Sequence, residues 1–341
     1  MIPVDPGDVA AVLAWMAHIR PSDLAERFAA CGGFDASSYL PCPPACPGHI
    51  AAVDGSNAEV LASGSFSVAV VRAVEVTYLG GKRAHAGESP LRAFRIGPER
   101  ENLAYADLYA ECFDGALPAR SLENEDRSEA AATLRDTLEY WVARRLAESL
   151  DAGDVLLLDG ALRVGHESHR PVLMDILRKA AGRGVLVAAV TKAAAATWGN
   201  GIPLVPAAAA LARRLGVAGP WYLEIPATLG DAVRHLEWDF GATYVACLHP
   251  GSPHPFKVDL PVGTSPDEAA RTFSALAAYA DDGRVTGYPF PLFDAHRMAA
   301  ITADQTEFVK QQVIGALSGR GMTEREYQEL FGDMHDEFAR Y

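Results

Sequence analysis

The chain has 341 residues, 49% hydrophobic and 22% charged, with a formal net charge of -14. That length builds a substantial core as one large domain or two ordinary ones, and the acidity excludes a general attraction to nucleic acid or anionic membrane. Only a local basic groove or bound divalent cations reverse such a field, and only within a site. No basic, apolar, small-residue leader pattern opens the chain, and no uninterrupted apolar run reaches about eighteen residues. The Ala-rich stretch 193–212 is broken by Trp198-Gly199-Asn200-Gly201, Pro203 and Pro206. The expectation is a soluble cytoplasmic protein with no membrane segment. Five cysteines are an odd, low count that argues against a disulfide framework.

In chain order, residues 6–32 read as helical. Asp8 is placed to cap a first piece over 9–19, and Pro21-Ser22-Asp23 breaks it and starts a second ending near Gly32-Gly33. This predicts a helical arm laid on the core or on a partner. A linker rich in Pro and Ser follows over 33–50, carrying Cys42, Cys46 and His49. That spacing opens a zinc site, but no second cysteine pair follows at zinc-finger distance, and a proline-rich loop is the competing reading. In HIAAVDGS, Asp54 ends a small apolar run at an Asp-Gly turn signal. Residues 65–79 are rich in Val, Phe, Thr and Tyr and predict a strand closed by Gly80-Gly81. The two strands are expected to pair as an antiparallel hairpin. Residues 82–120 are poorly patterned, with a strand expected near 94–96 and a short helix near 103–113.

Residues 121–150 give the best helix. Leu134, Leu138, Val142, Leu146 and Leu150 repeat every four residues. Glu139 shares the edge of that stripe, and Arg135 lies one turn earlier, placed to pair with it. A boundary Glu in an intrahelical ion pair is the plain alternative. Then comes DVLLLDGAL, in which Val155 to Leu158 run into Asp159 and a glycine. A strand apolar throughout is covered on both faces, as in an α/β sheet, which places Asp159 at its carboxyl end, where such sheets bind ligands. Two strands each ending in Asp-Gly bring two carboxylates to one edge. Such a pair repels and must share a proton or hold cations, unless both are simple turns. A helix over 168–181 and a strand over 184–190 predict a right-handed parallel crossover. Thr191-Lys192 ends that strand, and a lysine there contacts a phosphate as a point charge or is simply solvated. His166-Glu167-Ser168-His169 lacks the two-turn zinc spacing and reads as a loop.

Further strands are expected over 219–226, 242–249 and 256–260, partly antiparallel, with Lys257 exposed by alternation. Residues 265–279 predict a helix capped by Thr264 or Ser265 with Asp267-Glu268 in its first turn. In the segment 287–297, GYPFPLFDAHR, the prolines fix a turn and start a helix. His296 falls about one turn inside, as a metal ligand, a general base or a boundary residue. Helices over 306–317 and 323–338 close the chain.

Asp54-Gly55-Ser56, Arg135 with Glu139, Asp159-Gly160, Thr191-Lys192 and the segment 287–297 occur in order between about residues 46 and 320. Each piece alone is unspecific. The ordered set resembles the NurA family, nucleases of prokaryotic DNA-end processing. The resemblance implies an α/β, ribonuclease H-like mixed sheet flanked by helices. Residues 1–45 would form the arm and linker, 46–320 the nuclease domain and 321–341 a C-terminal helix. It also implies a manganese-dependent nuclease that trims single- and double-stranded DNA with 5′ to 3′ polarity and cuts endonucleolytically. Such an enzyme works in DNA-end resection and double-strand break repair, as a homodimer with HerA, a hexameric DNA-translocating ATPase. The family's first acidic position falls on Asp54, its helical glutamate best on Glu139, its second strand aspartate on Asp159 and its late histidine on His296. Its lysine falls on Lys192 and its late aromatic on Tyr288; Arg135 accompanies the glutamate as a substrate contact. Two departures stand out. Ala161 replaces a serine frequent after the second Asp-Gly. Glu123, Glu125, Asp126 and Glu129 crowd the approach to Glu139, so the glutamate assignment can slip to Glu125 or Glu129.

The chemistry is consistent with this carry-over. Two divalent ions roughly 4 Å apart activate water and stabilise a leaving oxygen, held by hard oxygen ligands. Asp54 and Asp159 would bind or bridge them and Glu139 would complete one site. His296 favours manganese over magnesium because imidazole is softer, with magnesium as the alternative. Lys192 would hold a phosphate oxygen and Tyr288 would stack on a base or bond the backbone. Two other readings compete. One is a non-catalytic DNA-end adaptor that loads an ATPase, which has no need of clustered acids. The other is an Asp-nucleophile phosphatase, which wants a second Asp two residues on, where Ser56 and Ala161 stand.

Overall fold

The computed structural model describes residues 5–16, 21–97, 103–122, 126–192, 196–198, 201–229, 238–252 and 254–331. Its first part holds α1 (Pro6–Met16), α2 (Pro21–Gly32), β1 (Leu40–Pro41), β2 (His49–Ala62), β3 (Ser67–Leu79), β4 (Lys82–Glu88) and β5 (Arg92–Ile96). Next come α3 (Leu103–Cys112), α4 (Arg127–Ser149), β6 (Val155–Asp159), α5 (Arg170–Arg183), β7 (Leu186–Thr191), the short pair β8 (Thr197–Trp198) and β9 (Ile202–Pro203), and α6 (Leu204–Arg214). The last part holds β10 (Trp221–Glu224), β11 (Gly241–Cys247), β12 (Phe256–Pro261), α7 (Pro266–Ala278), α8 (Phe290–Ala299), α9 (Ala303–Gly319) and α10 (Glu324–Phe331).

One mixed sheet organises these elements, in the order β1-β10-β11-β12-β7-β6-β2-β3-β4, with β5 also on β3. β6 pairs parallel to β2 and to β7, and the other pairings are antiparallel. The run β4-β3-β2-β6-β7 is the ribonuclease H-like mixed sheet that the resemblance implies. Helices cover both faces, and β6 shows why its sequence is apolar throughout. Leu156 and Leu158 pack with Leu134, Leu138, Leu173 and Ile176 of α4 and α5. Val155 and Leu157 pack on the other face with Phe273, Leu276 and Leu292 of α7 and α8. Alternation feeds one strand into two cores.

The arm divides. Leu24, Ala25 and Phe28 of α2 are buried against α6 and Trp198, whereas Val9, Val12, Leu13 and Met16 of α1 are exposed. At the other end, Val309, Val313, Tyr327 and Phe331 of α9 and α10 pack on Val60, Leu61 and Val70 at the tip of the β2-β3 hairpin. The part of the final predicted helix beyond residue 331 lies outside the described residues.

One expectation changes, and two elements are new. β2 does not end at Asp54-Gly55 but runs on to Ala62, because β3 continues to pair with it after β6 has stopped. β2 and β3 pair as the expected antiparallel hairpin, and Gly80-Gly81, both with positive φ, closes β3 as expected and turns the chain into β4. β4 escaped the reading because KRAHAGE is polar and exposed along almost its whole length. The Ala-rich stretch holds a buried helix, α6, whose alanines let it approach its neighbours closely.

Candidate metal centre

The sheet register assembles the site. Val53 of β2 stands beside Leu158 of β6. One residue further, Asp54 and Asp159 follow side by side where the parallel pairing stops. Both fall on the face of Ile50, Ala52, Val155 and Leu157, the face covered by α8. Their separation by about a hundred residues in sequence thus vanishes in the fold. Asp54 is only 4% exposed, and its Oδ1 accepts the Gly55 amide at 2.8 Å. His296, in the last turn of α8, brings Nδ1 to 2.8 Å from Asp54 Oδ2. Lys192, just past β7, places Nζ 2.7 Å from Asp159 Oδ2 and 3.3 Å from Asp54 Oδ2. Thr191 Oγ1 donates to the Gly160 carbonyl at 2.7 Å and ties the two strand ends together.

Glu139 arrives from the opposite layer. Gly55 alternates onto the α4 side, and a Cβ built there would meet Glu139 Oε1 and lie 2.8 Å from Glu139 Cγ and 2.9 Å from Arg135 Cγ. The glycine is what lets α4 lay these side chains against β2. Arg135 is engaged by Glu139 at 3.1 Å, Asp136 at 2.6 Å and Asn57 at 3.3 Å. Burial, then repulsion from Asp136, holds the Glu139 carboxyl well above the usual range, against the pull of Arg135. Asp159 is also raised, by burial and then Asp54, with Lys192 opposing. Asp136 is raised by burial.

These groups open into a cleft of about 500 Å³ whose lining includes Asp54, Arg135, Asp136, Glu139, Asp159 and His296. The atoms of Asp54, Asp159 and His296 able to ligate a metal lie within 4.8 Å of one another. Two carboxylates and an imidazole are a donor set that fits manganese, and the ammonium of Lys192 already shows that a cation is accommodated between the acids.

Other expected residues sit elsewhere. Tyr288 is buried, its ring edge-on to Phe256, and offers a base no open face. Its hydroxyl makes no hydrogen bond of good geometry, and burial, then Asp159 and Asp54, push its ionisation upward. Glu129 is exposed in the first turn of α4, about 15 Å along the helix from Glu139 at 1.5 Å per residue; Glu123 and Glu125 lie outside the described residues. The zinc reading fails. Cys42 is buried and Cys46 exposed, both free, and His49 faces Asp154 at 3.3 Å. His166 and His169 are buried behind α4, with His169 Nε2 2.8 Å from Thr137 Oγ1; burial, then His166, depresses the His169 pKa to about 3.

Sequence reasoning missed Asp136, Tyr140 and Arg163 in the lining. The helical spacing that singles out Glu139 also carries Asp136 and Tyr140, three residues before and one after. Nothing local marks Arg163.

The NurA domain profile matches residues 48–301. A structure of the NurA nuclease from Sulfolobus solfataricus is 14% identical, covers 92% of this chain and 94% of its own, and superposes with a TM-score of 0.50. A NurA structure bound to dAMP and manganese is 10% identical, covers 96% and 100%, and gives a TM-score of 0.54. No curated protein sequence matches the chain significantly. The profile spans well over half of the residues, and the chain belongs to the NurA family.

Proposed function

We propose that this chain is a manganese-dependent DNA nuclease that cuts phosphodiesters at the Asp54, Asp159, His296 cluster. The observation that carries the reading is the convergence of those three side chains, from three separate elements, at the floor of an open cleft. The dAMP and manganese held by a NurA relative support the same chemistry.

Asp54 and Asp159 would hold the ion, with His296 as the third ligand and Glu139 closing the site from α4. When bound, the ion supplies positive charge against the scissile phosphate and activates the attacking water. Asp54 is fixed by the Gly55 amide, so its ligating oxygen is set before substrate arrives. Arg135, tied to Glu139, Asp136 and Asn57, orients Glu139. Lys192 contacts a phosphate oxygen. Tyr288 turns its hydroxyl, not its ring, toward the acids. The finer reading follows the family resemblance: 5′ to 3′ trimming and endonucleolytic cutting in DNA-end resection, as a cytoplasmic homodimer beside a HerA-type ATPase. Among the described residues no helix is long and apolar enough to cross a membrane.

The test is cleavage of an end-labelled duplex with manganese by the wild type and by Asp54→Ala. Metal-dependent cutting that Asp54→Ala abolishes, in a variant that melts normally, is expected. Equal cutting by both moves the chemistry elsewhere; cutting by neither favours the adaptor reading. Adding a HerA-type ATPase is expected to change the rate, and an unchanged rate contradicts the partnership.

A further inference from the structure

Lys192 is expected at a phosphate, yet its ammonium lies on the acids. Nζ is 2.7 Å from Asp159 Oδ2 and 3.3 Å from Asp54 Oδ2, the same Asp54 oxygen that lies 2.8 Å from His296 Nδ1. Hard divalent ions take carboxylate oxygens at about 2.0 to 2.6 Å. An ion on these oxygens and an ammonium at contact distance from them would be like charges in a partly buried site, which repel strongly. The two cations exclude each other.

We propose that Lys192 is a displaceable internal cation: it neutralises Asp54 and Asp159 while metal is absent, and metal binding releases it to a DNA phosphate. This rests on the metal-nuclease reading and adds an order of events to it. The surroundings fit such an exchange. Asp54 is buried and pinned by the Gly55 amide, so it cannot turn away from a vacated cation. The Thr191 hydroxyl anchors the backbone just before the lysine. The lysine side chain is 36% exposed and hangs on a flexible stem, so release needs rotamer changes alone. The consequence is coupling: metal frees the cation that DNA uses, and DNA, by holding that cation, favours metal.

Calorimetric titration of manganese chloride into the wild type, Lys192→Met, Lys192→Arg and Asp54→Ala tests the exchange. Lys192→Met is expected to bind manganese at least about fivefold tighter than the wild type, the lower end of typical coupling, whereas Lys192→Arg keeps the competing charge and stays near the wild type. Equal or weaker binding by Lys192→Met overturns the exchange. Manganese binding that survives Asp54→Ala, or is absent from the wild type, overturns the metal site itself. A second measurement needs no variant. Acetylation of lysines by an N-hydroxysuccinimide ester, read by mass spectrometry, is expected to label Lys192 several-fold faster once manganese is added. Lys179, paired with Glu148 at 2.7 Å, serves as the reference. Lys192 labelling that does not rise against Lys179 contradicts release.

Discussion

Gly55 shows how much one missing methyl decides. Asp-Gly reads as a turn, and at Asp159-Gly160 the backbone does turn, with Gly160 at φ 97°. At Asp54-Gly55 the strand continues, and the glycine serves the close approach of Glu139 and Arg135. The dipeptide was legible; which of its two uses applied was not, because that depends on a helix eighty residues away. Gly55→Ala asks for a Cβ 2.8 Å from Glu139 Cγ and 2.9 Å from Arg135 Cγ. Both stems must move by a sizeable fraction of an ångström. The predicted result is a loss of cleavage on the order of 100-fold, with a melting temperature within a few degrees of the wild type, since the backbone there needs no positive φ. Wild-type rates in Gly55→Ala would show that Glu139 is not held for the reaction.

At the scale of elements, α4 carries the electrostatic strain of the site. Burial first, then Asp136, Asp54 and Asp159, raise the Glu139 carboxyl well above its ordinary 4.5, with Arg135 opposing. The folded protein therefore binds that proton more tightly than the unfolded chain. The associated stability is complete below about 4.5 and is lost as pH rises through the raised folded value. In chelator, the melting temperature of the wild type minus that of Glu139→Gln is predicted to fall as pH rises from 4.5, and manganese is predicted to cancel the fall. A difference that grows with pH would contradict the buried-acid account. The elements that placed these groups differed in legibility. The α4 stripe and the apolar run of β6 declared themselves because burial imposes a period. β4 did not, because an edge strand exposed along most of its length has no apolar pattern to show, and α6 hid in alanines and prolines that match no periodic template.

Across the whole molecule, the proposed function asks a charge of -14 to coexist with a polyanionic substrate. The positive charge is local and conditional: a cation held by Asp54, Asp159 and His296, with the ammonium of Lys192 beside it. The register that joins Asp54 to Asp159 is a topological fact, readable in part from two apolar runs that each lead to Asp-Gly. The arrival of His296 from α8 was carried by the family resemblance and not by any local pattern. The exposed apolar side chains of α1 and Phe308 of α9 are the surfaces expected to join two subunits. Light scattering on the purified chain is predicted to give twice 36.4 kDa, and a clean monomer would remove the dimer from the account.

The central claim is that one cation sits between Asp54 and Asp159 within reach of His296. Diffraction from manganese-soaked crystals, collected at a wavelength where manganese scatters anomalously, tests it most directly. The account predicts an anomalous peak bonded to both carboxylates and the imidazole, with the Lys192 side chain turned away. A peak on other residues, or no peak here while manganese supports cleavage in solution, would contradict it.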